Sequence, residues 1–91
     1  MNKTFFGDYF SELSDLVEQI DHEILVTTSK MILEASQSGK KVILAGNGGS
    51  AAMASHVAVD LTKAAGIRAV NFNEADLITC FANDFGYERW L

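Results

Sequence analysis

Ninety-one residues leave room for one hydrophobic core and no second domain. Hydrophobic residues make up 48% and charged residues 21%, a globular composition that excludes a disordered chain. Seven basic against twelve acidic side chains give a net charge of −5, which excludes a basic grip on nucleic-acid phosphates. The single cysteine, Cys80, excludes an internal disulfide and a CxxC motif. No apolar run approaches the ~20 residues of a membrane span. The start, Met1-Asn2-Lys3-Thr4-Phe5-Phe6-Gly7-Asp8, lacks the apolar stretch of a secretory signal. The expectation is a soluble, cytoplasmic protein with no membrane and no direct nucleic-acid partner.

The chain divides near Gly39 into a helical segment, 1–39, and an α/β segment, 40–91. Apolar residues recur at Phe6, Phe10, Leu13, Val17, Ile20 and Ile24, in steps of four and three. That is one helix face with heptad-like spacing. Thr27 and Thr28 interrupt the pattern, which resumes at Met31, Ile32 and Ala35. It fits one long helix, or two helices broken near Asp21 with that residue as N-cap. Gly39 is the expected C-terminal stop. The face packs either on the chain's own sheet or against another subunit. Few later elements remain for so long a helix to cover, which favours a homo-oligomer.

Val42-Ile43-Leu44-Ala45 is a continuous apolar run, the pattern of a parallel strand buried on both faces. Gly46-Asn47-Gly48-Gly49-Ser50 follows, then a helix from about Ala51 to Lys63, punctuated by Gly66. Ile67 to Phe72 forms the second strand candidate, and Asn73 is placed to cap a short helix over 74–82. Strand, glycine turn, helix and strand make one βαβ unit. Asn83-Asp84-Phe85-Gly86 reads as a turn, and Tyr87 to Leu91 begins a further helical element with an apolar Trp90 to bury. Two strands do not make a stable parallel sheet. The chain therefore reads as the first half of a domain, or as one whose sheet another chain completes.

The glycine loop is the first candidate site. Glycines permit positive φ and close approach of a ligand to the backbone, and the following helix points free N–H groups at the crevice. Phosphates bind in such places. The bland reading is a tight turn with Ser50 as a plain N-cap. Gly46 to Ala51 also fits G-x-G-x-x-A, but the acid that would hold a ribose is missing from the second strand's end, and no G-K-[ST] is present. His56 and Asp60 stand at i and i+4 on the same helix. They are a surface pair, a divalent-metal grip or proton carriers. Asn83 and Asp84 are turn residues unless the chain returns there to the loop. His22 reads as a solvated side chain and Cys80 as a small packed one.

The block Gly46-Asn47-Gly48-Gly49-Ser50-Ala51-Ala52, with His56 beyond it and Asn83-Asp84-Phe85-Gly86 later, resembles the phosphoheptose isomerases. These are sugar isomerase (SIS) domain proteins that convert sedoheptulose 7-phosphate to a heptose phosphate. The block is also similar to their relative, the regulator that binds the bacterial initiator protein DnaA. The resemblance implies a three-layer α/β/α domain on a parallel sheet, assembled as a tetramer through N-terminal helices. It implies that Asn47, Gly48 and Gly49 contact substrate, that Ser50 helps hold phosphate, and that Asn83 and Asp84 touch the sugar chain. It implies that His56 is a zinc ligand and that Asp60 stands where the family carries a glutamate, both metal ligand and catalytic base. The shorter Asp60 is one departure. The other is extent: the family's Ser/Thr phosphate loop and second histidine belong to a later half. The expectation is half of an isomerase site with an incomplete zinc ligand set, inactive alone, or a non-catalytic phosphosugar-binding or DnaA-binding protein.

Overall fold

The computed structural model describes residues 3–91; Met1 and Asn2, which open the stretch read for a secretory signal, lie outside the described residues. Four α-helices and two strands follow in the order α1 (Thr4–Glu18), α2 (His22–Gln37), β1 (Val42–Leu44), α3 (Gly49–Lys63), β2 (Ala69–Asn71) and α4 (Ala75–Phe85). A 3-10 turn over Tyr87–Arg89 ends the series. The chain forms two compact units, one up to Lys30 and one from Met31 to Leu91. No helix among the described residues is long and apolar enough to cross a membrane.

The helical segment is two helices. Asp21 Oδ1 accepts the Glu23 N–H at 2.9 Å, so Asp21 starts α2 as its N-cap. Ile20 lies in the break and Ile24 on α2, so the spaced apolar series is not the face of one helix. Thr27 and Thr28 interrupt the apolar pattern without breaking the helix. Thr28 Oγ1 donates back to the Ile24 carbonyl at 2.8 Å, which keeps the hydroxyl satisfied inside the helix. At the far end Gly39, with φ 72°, turns the chain. Lys40 N–H reaches the Ala35 carbonyl and Gly39 N–H the Ser36 carbonyl, the paired bonds of a Schellman stop.

In the second unit β1 and β2 pair in parallel, with Val42 opposite Ala69, Ile43 opposite Val70 and Leu44 opposite Asn71. Helix α3 connects the strands and packs on both. The architecture is the α/β pattern expected, N-terminal helices followed by one βαβ unit. Two details differ. Each strand keeps three residues rather than the longer runs read from the sequence. Ile43 is also 53% exposed between half-buried Val42 and Leu44. Successive strand residues face opposite sides, and α3 covers the side that Ile43 does not face. Among the described residues only Ala54, Ala58 and Trp90 are buried apolar side chains. Both alanines lie on α3, at the i, i+4 spacing that lets a helix approach a sheet closely.

Helix α4 also begins and ends differently from the pattern. Its N-cap is Glu74, not Asn73: the Glu74 carboxylate accepts the N–H groups of Asp76 and Leu77. The helix runs on to Phe85, so Asn83 and Asp84 lie in its last turn rather than in a loop. Gly86, at φ 94°, then turns the chain into the 3-10 element, and Trp90 beyond it is 6% exposed.

Candidate functional site

The glycine loop leaves the carboxyl end of β1 and enters α3. Gly46 sits against the first turn of that helix. A Cβ at this position would lie 2.5 Å from the Ser50 carbonyl carbon and oxygen and 2.7 Å from the Ala51 nitrogen. All three are backbone atoms that no rotamer change can move. Gly48 meets a different demand: it is the N-cap of α3 at φ 57°, ψ −124°, a conformation open to glycine. Ser50 is therefore not the N-cap. It lies in the first turn, and its Oγ reaches back to accept the Asn47 N–H at 2.9 Å and donate to the Asn47 carbonyl at 2.8 Å.

Two residues outside the loop complete it. Asn73, just past β2, accepts the Gly46 N–H through Oδ1 at 3.0 Å and donates from Nδ2 to the Gly46 carbonyl. Asn73 is itself held by Asn71 Oδ1, which accepts its N–H at 2.6 Å, while Asn71 Nδ2 donates to Ser55 Oγ on α3. One line of polar contacts thus joins α3, the end of β2 and the loop. From the other side, Tyr87 donates its hydroxyl proton to Asn47 Oδ1 at 2.8 Å. The loop's own bonds leave the N–H groups of Gly48 and Gly49 without a protein acceptor among the described residues. These donors point from a helix N-terminus, where the backbone dipole favours an anion. Replacing Asn73 by alanine removes both bonds to a half-buried backbone. The expected loss is about 1–3 kcal/mol in urea unfolding, with faster hydrogen exchange at the Gly46 amide.

His56 and Asp60 share one face of α3, with Nε2 and Oδ1 3.6 Å apart. Their side chains are 77% and 56% exposed, and no hydrogen bond among the described residues ties them to the loop. Among the described residues no third His, Cys, Asp or Glu joins them to make a metal-holding group. Asn83 Nδ2 donates to Asp84 Oδ1 at 3.2 Å, and both side chains stand exposed at the end of α4. Cys80 is exposed rather than packed. A separate apolar cavity of about 410 Å³ runs between α3 and β2, lined by Ser55, Ala58, Val59, Thr62, Lys63, Ala69 and Asn71. It includes none of the loop residues.

The site therefore consists of a strand end, a glycine loop and a helix N-terminus within one parallel βαβ unit. The chain belongs to the SIS-domain family: the family model described as SIS domain matches residues 8–81. Among curated proteins it is similar to phosphoheptose isomerases. It is 33% identical to that of Chlorobaculum parvum over 89% of this chain and 43% of that protein. It is 37% identical to that of Aliarcobacter butzleri over 98% of this chain and 51% of that protein. The Helicobacter pylori protein is 35% identical over 74% of this chain and 38% of its own length. The chain thus spans about half the length, or less, of the curated relatives it matches.

Three residues escaped the pattern: Gly46 as a steric necessity, Asn73 as the loop's clamp and Tyr87 as its side-chain partner. Asn73 carried a signal, a turn-forming residue directly after a strand, but the same signal fits a helix cap. Nothing local marks Tyr87, which lies 40 residues from Asn47.

Proposed function

We propose that this chain carries one half of a phosphosugar isomerase site, in which the Asn47–Ser50 loop holds a phosphorylated sugar. The observation that carries this reading is the loop itself: open backbone donors at Gly48 and Gly49 on a helix N-terminus, in a chain similar to phosphoheptose isomerases. The substrate pair is sedoheptulose 7-phosphate and a heptose 7-phosphate, interconverted through an enediol. A base takes the proton beside the carbonyl and an acid returns one to the neighbouring carbon. Asp60 is the base or a metal ligand, His56 a metal ligand, and Asn83 and Asp84 grip the sugar chain. Self-association into a tetramer through the N-terminal helices and a cytoplasmic setting belong to the same reading.

The donor set supports zinc in part. Two ligands at ~2.0–2.1 Å on a tetrahedral ion stand about 3.3 Å apart. The 3.6 Å between His56 Nε2 and Asp60 Oδ1 is close to one such edge. Catalytic zinc sites take about three protein ligands and structural ones four, so the pair needs further donors from outside this chain. Bound there, zinc would polarise the sugar's oxygens. His56 and Asp60 would hold one side of it while the loop orients the phosphate end.

A second reading is a non-catalytic phosphosugar-binding or DnaA-binding protein. Asp60 favours it, since a carboxylate one methylene shorter than glutamate reaches less far, and catalytic proton transfer needs about 2.6–3.2 Å. Incubation of the purified chain with zinc and sedoheptulose 7-phosphate is expected to show no turnover, while the sugar shifts the amide signals of Asn47 to Ser50. Turnover that disappears in His56→Ala would overturn the expected inactivity. Unmoved loop amides at millimolar sugar would overturn the loop's assignment.

A further inference from the structure

We infer that Tyr87 is a positioning residue for the glycine loop: its hydroxyl fixes the Asn47 carboxamide with Nδ2 left free to donate to a ligand oxygen. This deepens the proposed function and rests on the loop as the phosphosugar site. An asparagine side chain offers an acceptor on one side and two donors on the other. In the structure the phenol donates on the acceptor side, with Tyr87 Oη 2.8 Å from Asn47 Oδ1. Nδ2 is thereby turned away from Tyr87, and it has no protein acceptor among the described residues.

The rest of Asn47 is equally constrained. Ser50 Oγ holds its N–H and its carbonyl at once, so the backbone is tied by one residue and the side chain by another. Tyr87 is in turn set by the geometry around it. Gly86, at φ 94°, ends α4 and starts the 3-10 turn that carries Tyr87. Arg89 N–H bonds to the Gly86 carbonyl and Trp90 N–H to the Tyr87 carbonyl, closing the 3-10 turn. Trp90, 6% exposed, anchors its far end. Three consecutive residues of the loop thus carry donors without a protein acceptor among the described residues: Asn47 Nδ2 and the backbone N–H groups of Gly48 and Gly49. Such a row suits a ligand rich in acceptor oxygens, a phosphate or polyol. Fixing the carboxamide beforehand removes the ordering cost that a loose side chain would add on binding, about three- to tenfold in affinity.

The test uses the ¹⁵N-labelled 91-residue chain and Tyr87→Phe, which keeps the ring and removes only the hydroxyl. Without ligand, the Asn47 Nδ2 group is expected to be ordered in the parent chain and mobile in Tyr87→Phe, read by side-chain ¹⁵N relaxation. An unchanged Nδ2 order in Tyr87→Phe overturns the inference. With sedoheptulose 7-phosphate as probe, Tyr87→Phe is expected to weaken binding about three- to tenfold. In an Asn47→Ala background the same change is expected to cost nothing more, because Tyr87 acts through Asn47. An equal loss in both backgrounds also overturns it, since Tyr87 would then act directly or through general structure. If the parent chain takes up no sugar phosphate, the proposed function of the loop fails. The relaxation arm then still decides the role of Tyr87.

Discussion

Gly46→Ala is expected to lower stability by about 1–3 kcal/mol and to displace the entire glycine loop. The added methyl would sit 2.5 Å from the Ser50 carbonyl carbon and oxygen, well inside van der Waals contact. These atoms belong to the first turn of α3, so relief requires moving that turn or the end of β1. Either motion stretches the Asn73 bonds to the Gly46 N–H and carbonyl, because Asn73 is itself held by Asn71. For a chain of this size each kcal/mol corresponds to roughly 4–8 °C in the melting midpoint. Gly49→Ala is the control. A Cβ there meets nothing within 4 Å, and Gly49 is the first helical residue of α3. Alanine is favoured over glycine in a helix, so this variant is expected to melt at the parent temperature or slightly above it. Equal melting midpoints for Gly46→Ala and Gly49→Ala would show that the loop yields where the geometry says it is rigid.

Much of this fold is legible from local chemistry. The βαβ order follows from an apolar run, a glycine cluster and a helical stretch, and the stops at Gly39 and Gly66 need positive φ, which the structure gives them. Asp21 could be read as a cap because capping is a short-range bond. The errors arise where two residues compete for one role. Asn73 and Glu74 are both able to cap α4. The glutamate wins because the asparagine is already spent on Gly46, a bond spanning 27 residues that no local window contains. The extra turn of α4 over Asn83 and Asp84 has a similar origin. Asn-Asp is turn chemistry in isolation, but Gly86 supplies the required positive φ two residues later, so the helix continues until it. Ile43 shows the limit of an apolar run as evidence of burial. The run marks a strand built to be covered on both faces, and among the described residues only one is.

Leu13→Glu with Val17→Glu is expected to abolish self-association of the chain without unfolding it. In α1 the residues Phe6, Phe10, Leu13 and Val17 are between 46% and 59% exposed. At 100° per residue, Phe5, Tyr9 and Leu16 fall beside them, giving an apolar arc about 140° wide. The opposite side carries Thr4, Asp8, Ser11, Asp15 and Glu18. An arc of that width is broader than the seam of a two-stranded coiled coil and fits a helix surrounded in a bundle. It also extends the apolar series read from the sequence, which omitted Phe5, Tyr9 and Leu16. Two carboxylates placed in such a contact must be desolvated without partners, at several kcal/mol each. The association constant is expected to fall at least about a thousandfold, since each 1.4 kcal/mol is a factor of ten. Glutamate is a good helix former, so α1 and the far-ultraviolet dichroism should persist. Ser11→Glu with Ser14→Glu adds the same charge off the arc and is expected to leave the assembly intact. Sedimentation equilibrium separates the outcomes. A parent chain that is already a monomer, or a Leu13→Glu/Val17→Glu chain of unchanged mass, would show that this face is not where copies of the protein meet.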